Sequence, residues 1–417
     1  MALPVMRAGR YVKQAAGYRA FIPTPLPPDP PVQLDRAMIA LLSRADQAVG
    51  RLDGLAQTIP NPELFVAMYV RREAVLSSQI EGTQSTLEDV LTFELDPRAR
   101  EFPKDVEEVV NYVRAMNYGL QRLATLPLSL RLIREIHAEL LRNVRGADRR
   151  PGEFRTSQNW IGPASAPLAK ATFVPPPAPD MHEALDNFEK FLHQERDLPV
   201  LIHCGLAHAQ FETIHPFLDG NGRVGRLLIA FLLVHRGSLH RPLLYLSHYL
   251  KRHRLEYFDR LMAVREQGDW EGWLKFFLRG VAETAEEATG TAQAIVNLRE
   301  KHRALIQEKG LGLSGLRLLD VLFQQPLINV NLVKEKLGVS FVTASKLVEQ
   351  IERLGPLEET TGARRNRRYR YTPYLALFEE PEAGAVRPEP RTPAREAHDP
   401  HPLLSSAVPR GKGRGPR

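Results

Sequence analysis

One stretch decides the expected fold, Ile214–Leu227, with the sequence IHPFLDGNGRVGRL. The Gly-Asn-Gly of residues 220–222 predicts a tight turn, because glycine and asparagine tolerate left-handed backbone angles. An amphipathic run follows directly, so the turn opens a helix. The free N–H groups and the positive dipole end of that helix form an anion site. Arg223 and Arg226 lie three residues apart and add guanidinium groups suited to phosphate.

Two further residues of the stretch predict chemistry at a phosphate. Asp219 lies beside the anion site, and a carboxylate in that position is typical of a Mg²⁺ ligand shared with phosphate oxygens. His215 precedes Asp219 by four residues, and a neutral imidazole there can take a proton from an attacking hydroxyl. The combination favours attack by a hydroxyl on a nucleotide phosphate. On spacing alone, a structural His-Pro before a helix stays an alternative.

Composition sets broad limits. The chain has 417 residues, a net charge of +7 and 25% charged residues, which is typical of a soluble multidomain protein. No apolar run is long enough to span a membrane, and the N-terminus lacks a signal-peptide core, so we expect no membrane contact. Cys204 is the single cysteine, which excludes an internal disulfide. A cytoplasmic location fits this cysteine usage.

Periodicity along the chain predicts a mainly α-helical protein with a non-helical interruption. Proline-rich residues 1–34 are expected to form an extended arm. Helical patterns fill residues 35–125 and 126–285, apart from an excursion at 152–180 that includes a strand candidate, KATFV. A linker helix is predicted at 286–311. Residues 312–376 have the order helix, helix, turn, helix, strand, basic loop and strand, which indicates a winged helix-turn-helix, and 377–417 has the composition of a disordered tail.

The stretch resembles a known family. Residues 215–226 match every fixed position of the Fic signature, HPFx(D/E)GNGRxxR, and the surrounding order from about residue 35 to 280 is similar to Fic proteins. The resemblance implies a Fic-type helical bundle with a β-hairpin flap. It also implies transfer of AMP from ATP to a Ser, Thr or Tyr hydroxyl of a protein, with release of pyrophosphate.

The resemblance assigns roles to individual positions. His215 is similar to the general base and Asp219 to the Mg²⁺ ligand, while Arg226 would reach the γ-phosphate of ATP. The excursion is similar to the flap that docks the target backbone by strand addition. The phosphate-binding candidates are Gly220, Asn221, Gly222, Arg223 and Arg226. The flap candidates are Ala169, Lys170, Ala171, Thr172, Phe173 and Val174. Tyr257 and Phe258 are the adenine candidates, although Phe258 departs from the tyrosine of many relatives.

A second motif resembles the inhibitory motif of the same family, [S/T]xxxE[G/N]. It comprises Ser77, Glu81 and Gly82 in LSSQIEG. The resemblance implies that Glu81 pairs with Arg226 and turns the α-phosphate of ATP away from in-line attack. An autoinhibited enzyme is therefore expected. In some relatives the same glutamate assists removal of AMP, and that reverse reaction stays open.

Other residues suggest sites that we interpret as structural. Cys204 and His208 have the spacing of a metal pair, but no further cysteine completes a zinc site. The aromatic residues Trp270, Trp273, Phe276 and Phe277 recur at helical spacing, which favours a packed core over a stacking platform.

Several functional alternatives remain at this level. The chain could be a de-AMPylase, a transferase of another nucleotide, or a DNA-binding regulator that uses its winged helix. The basic loop RRNRRYR at residues 364–370 could contact phosphates of DNA, and a protein contact is the alternative. The expected partners are a protein target with a hydroxyl side chain, the chain itself through self-modification, DNA and a homodimer.

Overall fold

The computed structural model describes residues 7–58, 63–98, 102–162, 167–194, 198–363 and 365–379. Most of these residues lie in helices. The helices in chain order are α1 Arg36–Thr58, α2 Glu63–Ile80, α3 Leu87–Leu95, α4 Val106–Leu123, α5 Leu130–Leu140, α6 Ala178–His193, α7 Val200–Ile214, α8 Asn221–His235, α9 Ser247–Arg252, α10 Arg254–Gln267, α11 Trp270–Glu308, α12 Gly312–Gln324, α13 Val330–Leu337, α14 Phe341–Arg353 and α15 Thr372–Leu375. The strands are β1 Gly9–Lys13, β2 Arg19–Pro23, β3 Leu327–Asn329, β4 Glu358–Glu359 and β5 Arg368–Arg370.

Helix α7 lies at the centre of the bundle. Every residue from Leu201 to Ile214 is buried, as expected for a helix whose sequence is apolar on all sides. Helices α6, α8 and α11 pack around it, and α4 and α5 pack on α8. A side chain at Gly119 of α4 would meet the Phe231 ring of α8 at 2.4 Å, so glycine permits this close helix approach. Because His215 directly follows the last residue of this buried helix, the candidate catalytic base is attached to a core element.

The predicted extended arm contains an antiparallel hairpin instead. Strands β1 and β2 pair with Tyr11 opposite Phe21 and with Lys13 opposite Arg19. The two aromatic rings of the first pair lie 5.1 Å apart, edge to face. Most prolines of the arm lie in residues 23–31, at or after the end of β2, and the alternation of GRYVK and RAFIP was a readable strand signal.

The C-terminal part has the helices and the two later strands that were predicted there, and also a strand before α13 that was not predicted. Strands β3, β5 and β4 form an antiparallel sheet in that spatial order, with Leu327 and Glu358 both opposite Arg370. Asn329 caps α13 and Ser340 caps α14 through their side-chain oxygens. Helix α12 packs against α2 and α11. The winged-helix assignment and the domain boundaries stay predictions.

Two of the predicted domain boundaries do not coincide with breaks in the described structure. The helical block after residue 254 breaks at Gly268, which has φ +68°, and Asp269 caps the next helix by accepting a hydrogen bond from Gly272 N at 2.9 Å. Helix α11 then runs for 39 residues, so the boundary predicted between 285 and 286 falls inside one helix. Phe378 is buried against Tyr69, at a centroid distance of 5.4 Å. The predicted tail therefore begins after this residue, and residues 380–417 lie outside the described part.

Candidate functional site

The turn between α7 and α8 holds the candidate base and the candidate anion site together. His215 ends α7 in the left-handed conformation, with φ +50° and ψ +60°. Gly220 caps α8 with φ +78°. The Asn221 side chain, directly after Gly220, donates to the carbonyl of Phe217 and accepts from the Phe217 N–H, both at 2.8 Å. This pair of bonds fixes the path of the loop, so Asn221 acts on the turn itself.

The first turn of α8 presents backbone N–H groups that have no partner within the helix. Arg223 is buried beside them and pairs with Glu108 of α4 at 3.3 Å and with Asp219 at 3.6 Å. Its position is therefore fixed by a carboxylate from a neighbouring helix. The sequence motif did not indicate Glu108.

The predicted inhibitory residues meet this anion site. Helix α2 ends at Ile80, and Gly82 follows with φ +97°, which confirms the predicted stop. The Glu81 carboxylate accepts from Arg226 Nη2 at 2.7 Å. Ser77 Oγ accepts from Arg226 Nε at 2.7 Å, and the Ser77 carbonyl accepts from Nη2 at 3.0 Å.

The Glu81 carboxylate also lies directly over the first turn of α8. A methyl group at Gly222 would lie 2.2 Å from Glu81 Oε1. Burial opposes the charged form of Glu81, but the Arg226 guanidinium, then Arg223, hold its pKa below the ordinary value. The glutamate thus places a negative charge against the helix start that was predicted to bind phosphate.

His215 is poised as a neutral base. The pKa of its imidazole is lowered to about 3, first by burial and then by the charges of Arg265 and Arg155. Its Nδ1 is buried and has no hydrogen-bond partner among the described residues. The ring is therefore uncharged at neutral pH and can accept a proton.

Asp219 is supported by a histidine that the motif does not include. His137 of α5 accepts from Gly152 N through Nδ1 at 2.9 Å, so the neutral ring donates from Nε2 to the Asp219 carbonyl at 3.0 Å. The ring stacks on Phe217 with a centroid distance of 3.7 Å. Burial lowers the pKa of His137 to about 4. The sequence signal that could have indicated His137 is a histidine on the apolar face of an amphipathic helix.

Replacing His137 with alanine should lower the free energy of unfolding by about 2–4 kcal/mol, because two hydrogen bonds and a buried ring are lost. Chemical denaturation would measure this change. His193→Ala, at an exposed position at the end of α6, should change the free energy by less than about 0.5 kcal/mol. Equal stability of both variants would contradict the supporting role.

The predicted flap differs from a regular hairpin. Ile161 and Phe173 form an isolated antiparallel bridge, and residues Leu168–Lys170 form a 3₁₀ turn. The strand predicted at KATFV is therefore wrong apart from this bridge. Phe173 and Val174 are buried, and the Ala169 side chain lies outside the described residues. The interrupted backbone follows from a segment rich in proline, which cannot donate to a sheet.

The N-terminal hairpin reaches the same segment. Phe21 N of β2 donates to the Val174 carbonyl at 2.9 Å, and the Phe21 ring lies 5.9 Å from Phe173. Tyr18 donates to Gln158 Oε1 at 3.2 Å. Part of the backbone predicted to dock a target is thus already paired within the chain.

The aromatic candidates divide by exposure. Tyr257 is buried, and its hydroxyl lies 2.9 Å from His208 Nε2, whereas Phe258 is 38% exposed beneath the Arg254 guanidinium. Phe258 therefore offers the more accessible ring. The predicted core role of Trp270, Trp273, Phe276 and Phe277 is confirmed, since all are buried.

Among the described residues, no group of three or more His, Cys, Asp or Glu side chains could hold a metal ion. Cys204 lies 3.8 Å from the Ile229 carbonyl, and His208 Nδ1 lies 2.9 Å from the Gly225 carbonyl. Both residues of the spacing that resembled a metal pair therefore contact backbone oxygens. The described helices also lack any that is both long and apolar enough to cross a membrane.

Two family models match the two segments of the chain that form this site. Residues 39–121 match the N-terminal domain of the Fic/DOC family, which here carries Glu81. Residues 127–233 match the Fic/DOC family domain itself, which carries His215 and the anion site. The chain therefore carries the two domains of the Fic/DOC family over residues 39–121 and 127–233.

Curated relatives of this Fic protein include two enzymes named protein adenylyltransferase Fic. The one from Aedes aegypti is 33% identical over 162 residues, which are 38% of this chain and 28% of the relative. The one from Drosophila grimshawi is 29% identical over 214 residues, or 50% of this chain and 40% of the relative. The chain thus spans less than half the length of either relative.

A solved structure supports the fold of the Fic protein. The crystal structure of a Fic family protein from Desulfovibrio desulfuricans G20 aligns with a TM-score of 0.53 at 20% identity, over 82% of this chain and 97% of that chain. At this identity the likeness concerns the fold alone.

Proposed function

We propose that this Fic protein is a protein adenylyltransferase, which transfers AMP from ATP to a Ser, Thr or Tyr hydroxyl of a protein. The observation that carries the proposal is the turn that places a neutral His215 beside the α8 anion site. Relatives named adenylyltransferases over the same segment give further support.

The proposed step needs one base and one phosphate site. The target hydroxyl oxygen bonds to the α-phosphorus, its proton passes to His215, and the bond from the α-phosphorus to the β-phosphate bridging oxygen breaks. Pyrophosphate leaves. The N–H groups of the first turn of α8, together with Arg223 and Arg226, bind the phosphates and stabilise the charge that moves to the leaving group.

Asp219 fits the Mg²⁺ expected with ATP. Its side chain is 39% exposed beside Arg223, so an oxygen can face a nucleotide. Mg²⁺ prefers one or two carboxylates with phosphate oxygens and water, which agrees with a single protein carboxylate here. When bound, the ion would neutralise phosphate charge. Asp219 would orient it, and His137 would hold the Asp219 backbone in place.

The same enzyme is proposed to be autoinhibited. Glu81 holds the guanidinium that is proposed to bind the γ-phosphate, and it covers the first turn of α8. ATP that enters must displace or bypass this carboxylate, so its α-phosphate is misaligned for attack. Self-modification is expected to appear when Glu81 is removed.

The direct test is incubation of the Glu81→Gly protein with ATP, UTP or GTP, each with Mg²⁺, followed by mass spectrometry of the protein and of a cell lysate. The proposal expects a mass increase of AMP on a hydroxyl residue in the ATP sample. Uridylate or guanylate addition instead would replace AMP as the transferred group. Loss of AMP from a previously modified protein in the presence of wild-type chain would favour the reverse reaction.

A second candidate function, DNA contact, rests on the C-terminal part. Phe341 and Val342 at the start of α14 are 51% and 63% exposed. A groove of about 840 Å³ separates this helix from Arg365, Arg367 and Arg368. Exposed apolar residues at a helix start and cations across a groove suit base and phosphate contacts, respectively.

Replacing Arg365 and Arg367 with glutamate should weaken binding to a mixed-sequence DNA duplex at least about tenfold and reduce the salt slope by about 2. Fluorescence anisotropy across a salt series would measure both. Arg131→Glu on α5 is a control for charge reversal away from the groove and should leave affinity unchanged. Absence of duplex binding by the wild-type chain at low salt would remove this function.

A further inference from the structure

The C-terminal end of α7 is held by two buried arginines that no motif indicated. Carbonyl groups in the last turn of a helix lack intrahelical donors and carry the negative end of the helix dipole. Here those carbonyls belong to the residues immediately before His215 and to His215 itself. The groups that donate hydrogen bonds to these carbonyls therefore hold the backbone at His215, and with it the orientation of the imidazole.

Arg155 joins the flap to the backbone of the base. Its Nε donates to the His215 carbonyl at 3.0 Å, and its Nη2 donates to the Pro176 carbonyl at 2.6 Å and the Ile214 carbonyl at 3.5 Å. Its Nη1 donates to the Ser157 carbonyl at 3.2 Å. The side chain is about 1% exposed. One guanidinium thus ties both arms of the flap segment to the end of α7.

Arg265 makes a similar connection from α10. Its Nη2 donates to the Glu212 carbonyl at 3.0 Å, and its Nε donates to Thr213 Oγ1 at 3.2 Å. The guanidinium carbon also lies 3.9 Å from the centroid of the Phe173 ring, a cation–π distance. The second arginine therefore also contacts both the end of α7 and the flap.

The hydrogen bonds found for both arginines among the described residues go to carbonyl oxygens, a hydroxyl and a thioether, and none goes to a carboxylate. Burial of a charge without a directly bonded counter-ion is costly, and burial lowers the pKa of both Arg155 and Arg265 to about 10, although the charge of Glu212 acts in the opposite sense on Arg265. Carbonyl oxygens at the negative end of a helix offset part of that cost. Simple structural capping would not require two desolvated cations at a single helix end.

We propose that Arg155 and Arg265 are positioning residues that clamp the flap to the end of α7, so that the target backbone and His215 keep one fixed geometry. The proposal rests on the proposed AMP transfer. His215 is in the left-handed conformation, which an unsupported residue leaves readily. Asn159 Nδ2 donates to the His215 and Phe217 carbonyls at 3.1 and 2.8 Å and completes the support.

Burial is the largest cause of the lowered His215 pKa, and the clamp adds to it. The groups that face His215 are Arg265 from α10, Arg155 from the flap segment and Glu81 after α2, together with the backbone carbonyl of Glu212 on its own helix. The two guanidiniums lower the pKa of His215, and Glu81 raises it. Removing a guanidinium should therefore raise the His215 pKa. As the solution is acidified, His215 should then become protonated, and stop acting as a base, at a higher pH than in the parent protein.

The test uses the full chain with Glu81→Gly, into which Arg265→Gln, Arg265→Lys, Arg155→Gln or Arg155→Lys is introduced. The glutamine variants should reduce kcat for AMP transfer roughly tenfold or more, while the Kd for ATP changes less than about threefold. The lysine variants should recover part of kcat. Arg260→Gln, on an exposed face of α10, is the matched control and should keep the parent kcat.

Two further measurements test the clamp without relying on AMP transfer, and they distinguish it from a general loss of stability. In NMR titrations, the His215 ring should titrate at a higher pH in the glutamine variants than in the parent. Hydrogen exchange of the Thr172 and Phe173 amides, which donate to the Ile161 carbonyl, should accelerate. An unchanged His215 titration together with unchanged exchange would overturn the clamp, even if kcat falls.

The two proposals can fail separately. If the Glu81→Gly protein transfers AMP to no protein, the proposed function fails, and the titration and exchange data still decide the clamp. If transfer occurs but kcat and ATP affinity fall in parallel in every variant, the arginines support only the general fold. Where Arg155→Gln does not fold, the Arg265 pair provides the same comparison.

Discussion

Replacing Glu81 with glycine is expected to raise AMP transfer by about 10- to 100-fold. The wild-type carboxylate makes a charge-assisted hydrogen bond of 2.7 Å to Arg226, and such bonds contribute about 1.5–3 kcal/mol. A tenfold rate change corresponds to about 1.4 kcal/mol. The variant frees both Arg226 and the first turn of α8 for phosphate. Radiolabel transfer from ATP to the protein at fixed Mg²⁺ would measure the effect.

Two variants separate charge from volume in this prediction. Glu81→Gln keeps the side-chain size and removes the negative charge, so it should give an intermediate rate. Glu88→Gln removes a carboxylate of α3 that pairs at the surface with Arg370 at 3.5 Å, and it should give the wild-type rate. A Glu81→Gly protein with wild-type transfer would contradict autoinhibition through this pair.

Replacing His215 with alanine, in a protein that also carries Glu81→Gly, should lower kcat by a factor of about 10²–10⁴. This is the usual contribution of a positioned base. The loss should appear in kcat, because the imidazole is proposed to act on the target hydroxyl and the phosphates contact α8. Single-turnover kinetics with labelled ATP, combined with calorimetric measurement of ATP affinity, would separate the two quantities.

His193→Ala is a suitable histidine control for that experiment, since this residue is exposed at the end of α6. It should keep the parent kcat. Transfer by the His215→Ala protein at the parent rate would show that another group accepts the proton, and the proposed step would then be wrong.

The sequence indicated the parts of the site that are local in the chain. Gly220 and Gly82 have the positive φ angles that a turn and a helix stop require, and such angles are readable from single residues. The Glu81–Arg226 pair joins positions 145 residues apart. It could be expected only through the family resemblance, because periodicity carries no information about such a distant contact.

The sequence did not indicate the supports of the site. Arg155, Arg265 and His137 each act through contacts with another element, and each lies in a pattern that also fits an ordinary surface or core residue. The break at Gly268 was missed although Asp269 follows it, because helical periodicity continues on both sides. The flap was expected as a hairpin, whereas in the structure Phe21 of the N-terminal strand pairs with its end.

The length of α11 has a practical consequence for any shortened version of this protein. Helix α1 precedes α2, the helix that ends directly before Glu81, and α1 packs along α11, with Arg44 and Glu286 bonded at 2.7 Å. Ala288, Ala292 and Ile295 are buried beyond the expected domain boundary at 285. A chain cut there would lose part of the surface that supports α1, and α2 could shift with it. Higher activity of such a fragment could then result from displacement of α2 and not from loss of a regulatory contact. Only point substitutions in the intact chain can distinguish these two causes.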